Sequence, residues 1–179
     1  MKIGNFDTSK KVLIIAEIGN NHEGDFELAM ELVALASESG ADAVKFQSIS
    51  PEKLISPNDK ERINQLKKFQ LKEEHFRALA EKAKHLGIIF LSTPFDLSVV
   101  DFLDELVPAF KISSGDNNFF PLIDKVASKG KPTLISLGLS HTDEPKQLQQ
   151  YLTDKWESLG ITNPGLGLLH CVCSYPTPI

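Results

Sequence analysis

Cysteine is scarce in this chain: Cys171 and Cys173 are the only two in 179 residues. They stand one residue apart in a strand-like run, on one face, with no zinc-type partners beside them, and read as reduced thiols with structural roles. Basic charge is also short, 19 Lys plus Arg against 24 Asp plus Glu. The net charge of -5 excludes a general attraction to nucleic acid or to an anionic membrane. An anionic ligand must therefore be held by local positive groups. No apolar run approaches the roughly 20 residues of a membrane span, and "MKIGNFDTSKK" lacks the apolar centre of a signal peptide, so the expected location is cytoplasmic.

What is present is a 41% hydrophobic chain, long enough for one well-buried domain. Apolar runs recur as "VLIIAE" from Val12, "ADAVKFQ" from Ala41, "GIIFLST" from Gly87, "PAFKISSG" from Pro108, "PTLISLG" from Pro132 and "GLGLLHCV" from Gly165. Their unbroken apolar character predicts strands covered on both faces. Helical patterns lie between most of them. "DFELAMELVALASESG" places Leu28, Leu32 and Leu35 on one stripe, and "EEHFRALAEKAKHLG" does so with Phe76, Leu79, Ala80, Ala83 and Leu86. "DLSVVDFLDEL" opens on an Asp96 cap, and "NFFPLIDKVASKG" and "DEPKQLQQYLTDKWESLG" complete the set.

Strand and helix in alternation, without successive hairpins, predict parallel strands with helical crossovers. The glycines of "EIGNNHEGD" lack the spacing of a nucleotide-binding fingerprint, which favours an α/β (β/α)8 TIM barrel over an open doubly wound sheet. A complete barrel needs about 250 residues. Residues 1–179 therefore read as an incomplete barrel of about six βα units, a fragment or a chain that pairs its open edge with another copy.

Both folds gather function at the carboxyl ends of their strands, and every predicted strand here ends in a polar or charged group. Lys45 and Lys111 interrupt apolar runs and must face a wet rim or bear heavy desolvation. Three readings are open: a structural ion pair with Glu17 or Asp116, a Schiff-base lysine, or two cations clamping a phosphate or carboxylate. Thr93, Ser113, Ser114 and Ser136 stand at the same ends and favour the clamp. Glu17 is the best acid or base candidate. His22 reads as a turn residue and a weak metal signal, His141 as a loop residue, and His75 and His85 as solvent-facing. Phe119 and Phe120 are expected to pack beneath their helix.

The segments "IIAEIGNNHEGD", "GADAVKFQ", "LSTPFD", "PAFKISSGD", "GKPTLIS" and "LLHCVCSYPTP" together resemble the sialic acid synthase family, which includes N-acetylneuraminate, legionaminate and pseudaminate synthases. The resemblance covers nearly the whole chain in the right order. It implies a (β/α)8 barrel that condenses phosphoenolpyruvate with an N-acetylated hexose such as N-acetylmannosamine and releases phosphate. Matched by position, Lys45, Thr93, Lys111, Ser114 and Ser136 would hold phosphoenolpyruvate, and Glu17 would act at the reacting centre. Gln47, Asp116 and Tyr175 would face the sugar, with Asn20, Asn21 and His22 shaping the site.

The resemblance also implies a divalent metal, Mn or Mg, whose two histidine ligands lie on later strands outside this chain. It implies a homodimer and a C-terminal antifreeze-like domain, likewise outside residues 1–179. The chain departs from the family pattern at Leu137, where a hydroxyl residue is usual, and at Cys173, where Ser or Asn is common. The 179-residue chain alone is expected to be inactive. The competing readings are a truncated inactive barrel module and a Schiff-base aldolase using Lys45 or Lys111.

Overall fold

The structure, a computed structural model, describes residues 1–141, 143–174 and 176–178. A small antiparallel hairpin comes first, β1 (Lys2–Ile3) with β2 (Phe6–Asp7). Six strands follow: β3 (Ile15–Gly19), β4 (Ala43–Ser48), β5 (Ile89–Pro94), β6 (Phe110–Ile112), β7 (Thr133–Ser136) and β8 (Leu166–Leu169). They form two parallel three-stranded sheets, β3-β4-β5 and β6-β7-β8, in strictly sequential order. Strands β5 and β6 lie side by side without a shared ladder. All six strands predicted from apolar runs are present; β6, β7 and β8 lie inside their runs, and β3, β4 and β5 extend one or two residues beyond theirs.

Side chains alternate across the strands, as a pleated backbone requires. Val44, Phe46, Phe90, Phe110, Ile112 and Ile135 point to the helices and join the main core. The helices that cover them are α1 (Phe26–Glu38), α4 (Glu73–His85), α5 (Val100–Leu106), α6 (Phe120–Ala127) and α7 (Glu144–Ser158). Two shorter helices, α2 (Pro51–Leu54) and α3 (Lys60–Phe69), fill the connection between β4 and α4. The fully buried Trp156 and Leu152 of α7 are among the largest side chains in this core.

The other side of the strands carries a second apolar cluster of Ile3, Ala43, Leu91, Ala109 and Leu134. Ile3 belongs to the amino-terminal hairpin, which thereby covers the amino ends of the strands on the face without helices. One pleat period further along each strand, on the same face, come Lys45, Thr93, Lys111 and Ser136. The fold thus separates an apolar floor from a polar mouth within two residues of chain.

Three packing expectations need correction. Helix α1 buries Ala29, Val33 and Ala36, while Leu35 is exposed, because small residues let this helix approach the sheet closely. Phe119 and Phe120 are not beneath α6; they are 40% and 44% exposed, and Phe120 meets the Tyr151 ring at a tilt of 56° and a centroid distance of 4.7 Å. His75 is sheltered against Phe26, ring on ring at 4.5 Å, rather than solvent-facing. Asp96 does cap the short 3-10 turn Leu97–Val99 ahead of α5, accepting from the Ser98 N–H at 2.7 Å.

Candidate functional site

Strand β3 meets β4 with Glu17 opposite Lys45, and a bulge follows between Glu17 and Gly19. A bulge breaks the ladder and re-aims the chain, here into the polar segment Asn20 to Asp25. Backbone N–H groups of Asn21, Glu23 and Asp25 donate to the carbonyls of Ile18, Asn20 and His22, making successive tight turns. Gly24 has φ +88, and a Cβ there would lie 1.8 Å from the Lys68 carbonyl oxygen, so no side chain fits. Asp25 then caps α1 by accepting from the Leu28 N–H at 3.1 Å.

His22 is the hidden anchor of this turn, only 1% exposed. Its Nδ1 accepts from the Gly24 N–H at 3.0 Å, and its ring lies 6.0 Å from Phe46. Burial holds its pKa below the ordinary histidine value, with Asp25 acting weakly in the opposite sense. His22 is therefore a neutral turn residue.

Two lysines dominate the mouth. Lys45 is 5% exposed and Lys111 is 6% exposed. The Lys45 ammonium pairs with Glu17 Oε2 at 2.9 Å and donates to Thr93 Oγ1 at 3.2 Å. Lys111 donates to Ser136 Oγ at 2.6 Å and to the Ile112 carbonyl at 2.7 Å, with no carboxylate partner among the described residues. Each lysine thus reaches the hydroxyl two residues further along the next strand, since Lys45 lies opposite Leu91 and Lys111 opposite Leu134. Burial first and the Lys45 charge second pull the Lys111 pKa down to about 8, against the attraction of Glu17 and Cys171.

Ser114 takes a similar part from the next loop. Its Oγ accepts from the Gly138 N–H at 3.1 Å. Asn117, 8% exposed, donates to the Ser136 carbonyl at 3.3 Å and to Ser140 Oγ at 2.8 Å, fixing the segment that carries Ser136. Sequence reasoning missed Asn117, whose only signal was a second amide in "GDNN".

The other sequence candidates lie more loosely around this centre. Gln47 is half-buried opposite Thr93, and its amide borders Gly19. Asp116 does not reach Lys111; it accepts from Ser113 Oγ at 2.5 Å within its own loop. Tyr175 lies outside the described residues. Leu137 packs partly against the core, and its N–H continues the β7–β8 ladder by donating to the Leu169 carbonyl.

Among the described residues, no group of three or more His, Cys, Asp or Glu side chains could hold a metal ion. The donors gathered at the mouth, ammonium and hydroxyl groups with one carboxylate, suit an anion and would repel a divalent cation. No helix is long and apolar enough to cross a membrane among the described residues. A cavity of about 890 Å³ lies elsewhere, at the amino ends of the strands. Its charges are largely matched on the spot, as in Lys11 with Asp42 at 2.6 Å and Arg77 with Glu105 at 2.8 Å, so it offers no comparable site.

Comparison with known proteins places this geometry. Residues 32–179 match the profile of the NeuB family. The N,N'-diacetyllegionaminic acid synthase of Campylobacter jejuni is 38% identical over 94% of this chain and 54% of that protein. The human N-acetylneuraminate-9-phosphate synthase is 36% identical over 91% of this chain and 47% of that protein. The crystal structure of the N-acetylneuraminic acid synthetase of Leptospira borgpetersenii, in complex with citrate, superposes with a TM-score of 0.88 at 31% identity. That match covers 99% of this chain and 61% of the other. The chain spans about half the length of the curated relatives it matches. With a family match over most of its length and sialic, legionaminic and pseudaminic acid synthases among its homologues, the chain belongs to the NeuB family.

Proposed function

We propose that residues 1–179 supply the phosphoenolpyruvate-binding part of a sugar acid synthase, the first six strand–helix units of a (β/α)8 barrel. One observation carries the reading. Thr93 and Ser136 each accept a hydrogen bond from a buried lysine, and Ser114 accepts one from the Gly138 N–H. A hydroxyl engaged as acceptor keeps its own proton free to donate. Three O–H groups and two ammonium groups at the strand ends are thereby left as donors. A phosphate or carboxylate matches that inventory, and charge-assisted hydrogen bonds are the strong ones. The Leptospira relative was crystallised in complex with citrate, itself a small polyanion.

The chemistry follows from the donors. Lys45, Lys111, Thr93, Ser114 and Ser136 hold the phosphate and carboxylate of phosphoenolpyruvate and orient its C3 toward the sugar. C3 attacks the open-chain aldehyde of an N-acetylated hexosamine such as N-acetylmannosamine, leaving positive charge at C2. Glu17, the one carboxylate among these cations, stabilises that charge or takes the proton of the attacking water. Water adds at C2, and the tetrahedral species expels phosphate. The resemblance assigns Gln47, Asp116 and Tyr175 to the sugar. The donor set at the mouth does not fit a divalent metal. The whole protein works as a cytoplasmic homodimer.

The test is phosphate release by the full-length protein given phosphoenolpyruvate and a panel of N-acylhexosamines. Release that needs both substrates supports the reading, and no release with any amino sugar contradicts it. A second reading has one observation in its favour: a Lys111 pKa of about 8 also suits a Schiff-base aldolase. Borohydride trapping of a carbonyl substrate on Lys111 or Lys45 would select it.

A further inference from the structure

We propose that Cys171 and Cys173 form a two-electron redox site at the edge of the anion cleft, closing to an intrachain disulfide when a hydroperoxide reaches them. Both thiols are free; Cys173 is exposed and Cys171 partly so. They meet at Gly138. A Cβ built on that glycine would lie 2.5 Å from Cys173 Sγ and 3.1 Å from Cys171 Cβ, with Ser114 Oγ also at 3.1 Å. The two cysteine side chains therefore flank one point, where Cys173 Sγ occupies the space that a side chain on Gly138 would fill.

The surroundings favour reactivity. Cys171 is close enough to Lys111 for a thiolate there to act on the Lys111 charge. The Cys171 S–H donates to the Leu169 carbonyl at 3.5 Å. A small peroxide can enter from the exposed Cys173 side.

The steps balance. The Cys171 thiolate attacks one peroxide oxygen, the O–O bond breaks, and the departing hydroxide leaves as water with a proton from solvent, giving a sulfenic acid. The Cys173 thiolate then attacks the Cys171 sulfur, the S–O bond breaks, and a second water leaves. Two thiols lose two electrons and two hydrogens, and hydrogen peroxide becomes two waters. The new bond lies across Gly138 and against Ser114. Its consequence, weaker phosphoenolpyruvate binding, rests on the proposed function; the redox site itself does not.

The experiment treats the full-length protein with hydrogen peroxide and maps its peptides by mass, with and without dithiothreitol. The peptide carrying both cysteines is expected to lose the mass of two hydrogens and to regain it on reduction. Cys173→Ser is expected to stop at a sulfenic acid on Cys171, trapped by dimedone. Both thiols remaining free, single oxidation to sulfinic acid, or a link between two chains would overturn the proposal. Phosphoenolpyruvate titration of the reduced and oxidised forms separates the two claims. If the disulfide forms but the reduced protein binds no phosphoenolpyruvate, the functional reading fails and the redox site stands.

Discussion

Lys111 Nζ lies 2.6 Å from Ser136 Oγ, on the neighbouring strand and two residues beyond its register partner Leu134. Lys45 and Thr93 repeat the same offset on β4 and β5. One backbone geometry thus produces two lysine–hydroxyl pairs, and Glu17 neutralises only the first.

The second pair carries a stability cost. A pKa drawn from 10.5 to about 8 corresponds to roughly 3 kcal/mol against the charged form. Lys111→Met keeps the length of the stem and removes the buried charge, while leaving Ser136 and the Ile112 carbonyl without their donor. Chemical denaturation at pH 7 is expected to show a gain of about 1–2 kcal/mol. Phosphoenolpyruvate binding is expected to disappear. A variant less stable than the wild type would contradict the account of Lys111 as a desolvated cation.

The same group sets a pH limit. Below about 8 Lys111 is charged in the folded protein, and an anion meets the full clamp. Above that value the free protein loses the charge, and affinity for phosphoenolpyruvate is expected to fall about tenfold per pH unit. Between about 8 and 10.5 the unfolded chain binds the extra proton, so the Lys111 contribution to stability rises with pH while binding declines. Calorimetric titrations from pH 7 to 10 check the first statement; a flat profile would contradict it.

Glu17→Gln separates chemistry from binding. The Glu17 side chain is 58% exposed, so loss of its ion pair with Lys45 is expected to change stability by less than about 1 kcal/mol. Phosphate release is expected to fall by about 10²–10⁴. Affinity for phosphoenolpyruvate is expected to hold or improve, because a competing negative charge leaves the clamp. Unchanged turnover in the variant would remove Glu17 from the reacting centre.

His22 gives the acid side of the stability curve. Its folded pKa lies below the unfolded value of 6.5, so the native state resists a proton that the unfolded chain accepts. Stability is expected to fall as pH drops below 6.5, through the folded pKa. His22→Phe is expected to flatten that part of the slope between pH 7 and 5, measured by denaturant unfolding. An unchanged slope would show that other groups produce it.

Much of this was legible in the sequence, and for a physical reason. A lysine inside an apolar run has few places to go, so Lys45 and Lys111 pointed to a wet rim. Parallel strands buried on both faces leave continuous apolar runs, so β3 to β8 could be read directly. The hairpin was not legible, because strands of two residues carry no period. Helix α3 was hidden by its composition, with Leu66 its only buried residue. Helix α1 misled because leucines suggest a face, whereas Ala29, Val33 and Ala36 make the contact. Cys171 and Cys173 read as structural because their meeting point is Gly138, a loop position remote in sequence.

The most direct test of the clamp is calorimetric titration of the full-length protein with phosphoenolpyruvate, beside variants carrying Lys45→Met, Lys111→Met or both. The expected result is saturable binding by the wild type, weakened by either substitution and abolished by the pair. Equal affinity in all four proteins would show that phosphoenolpyruvate is held elsewhere, or by other groups.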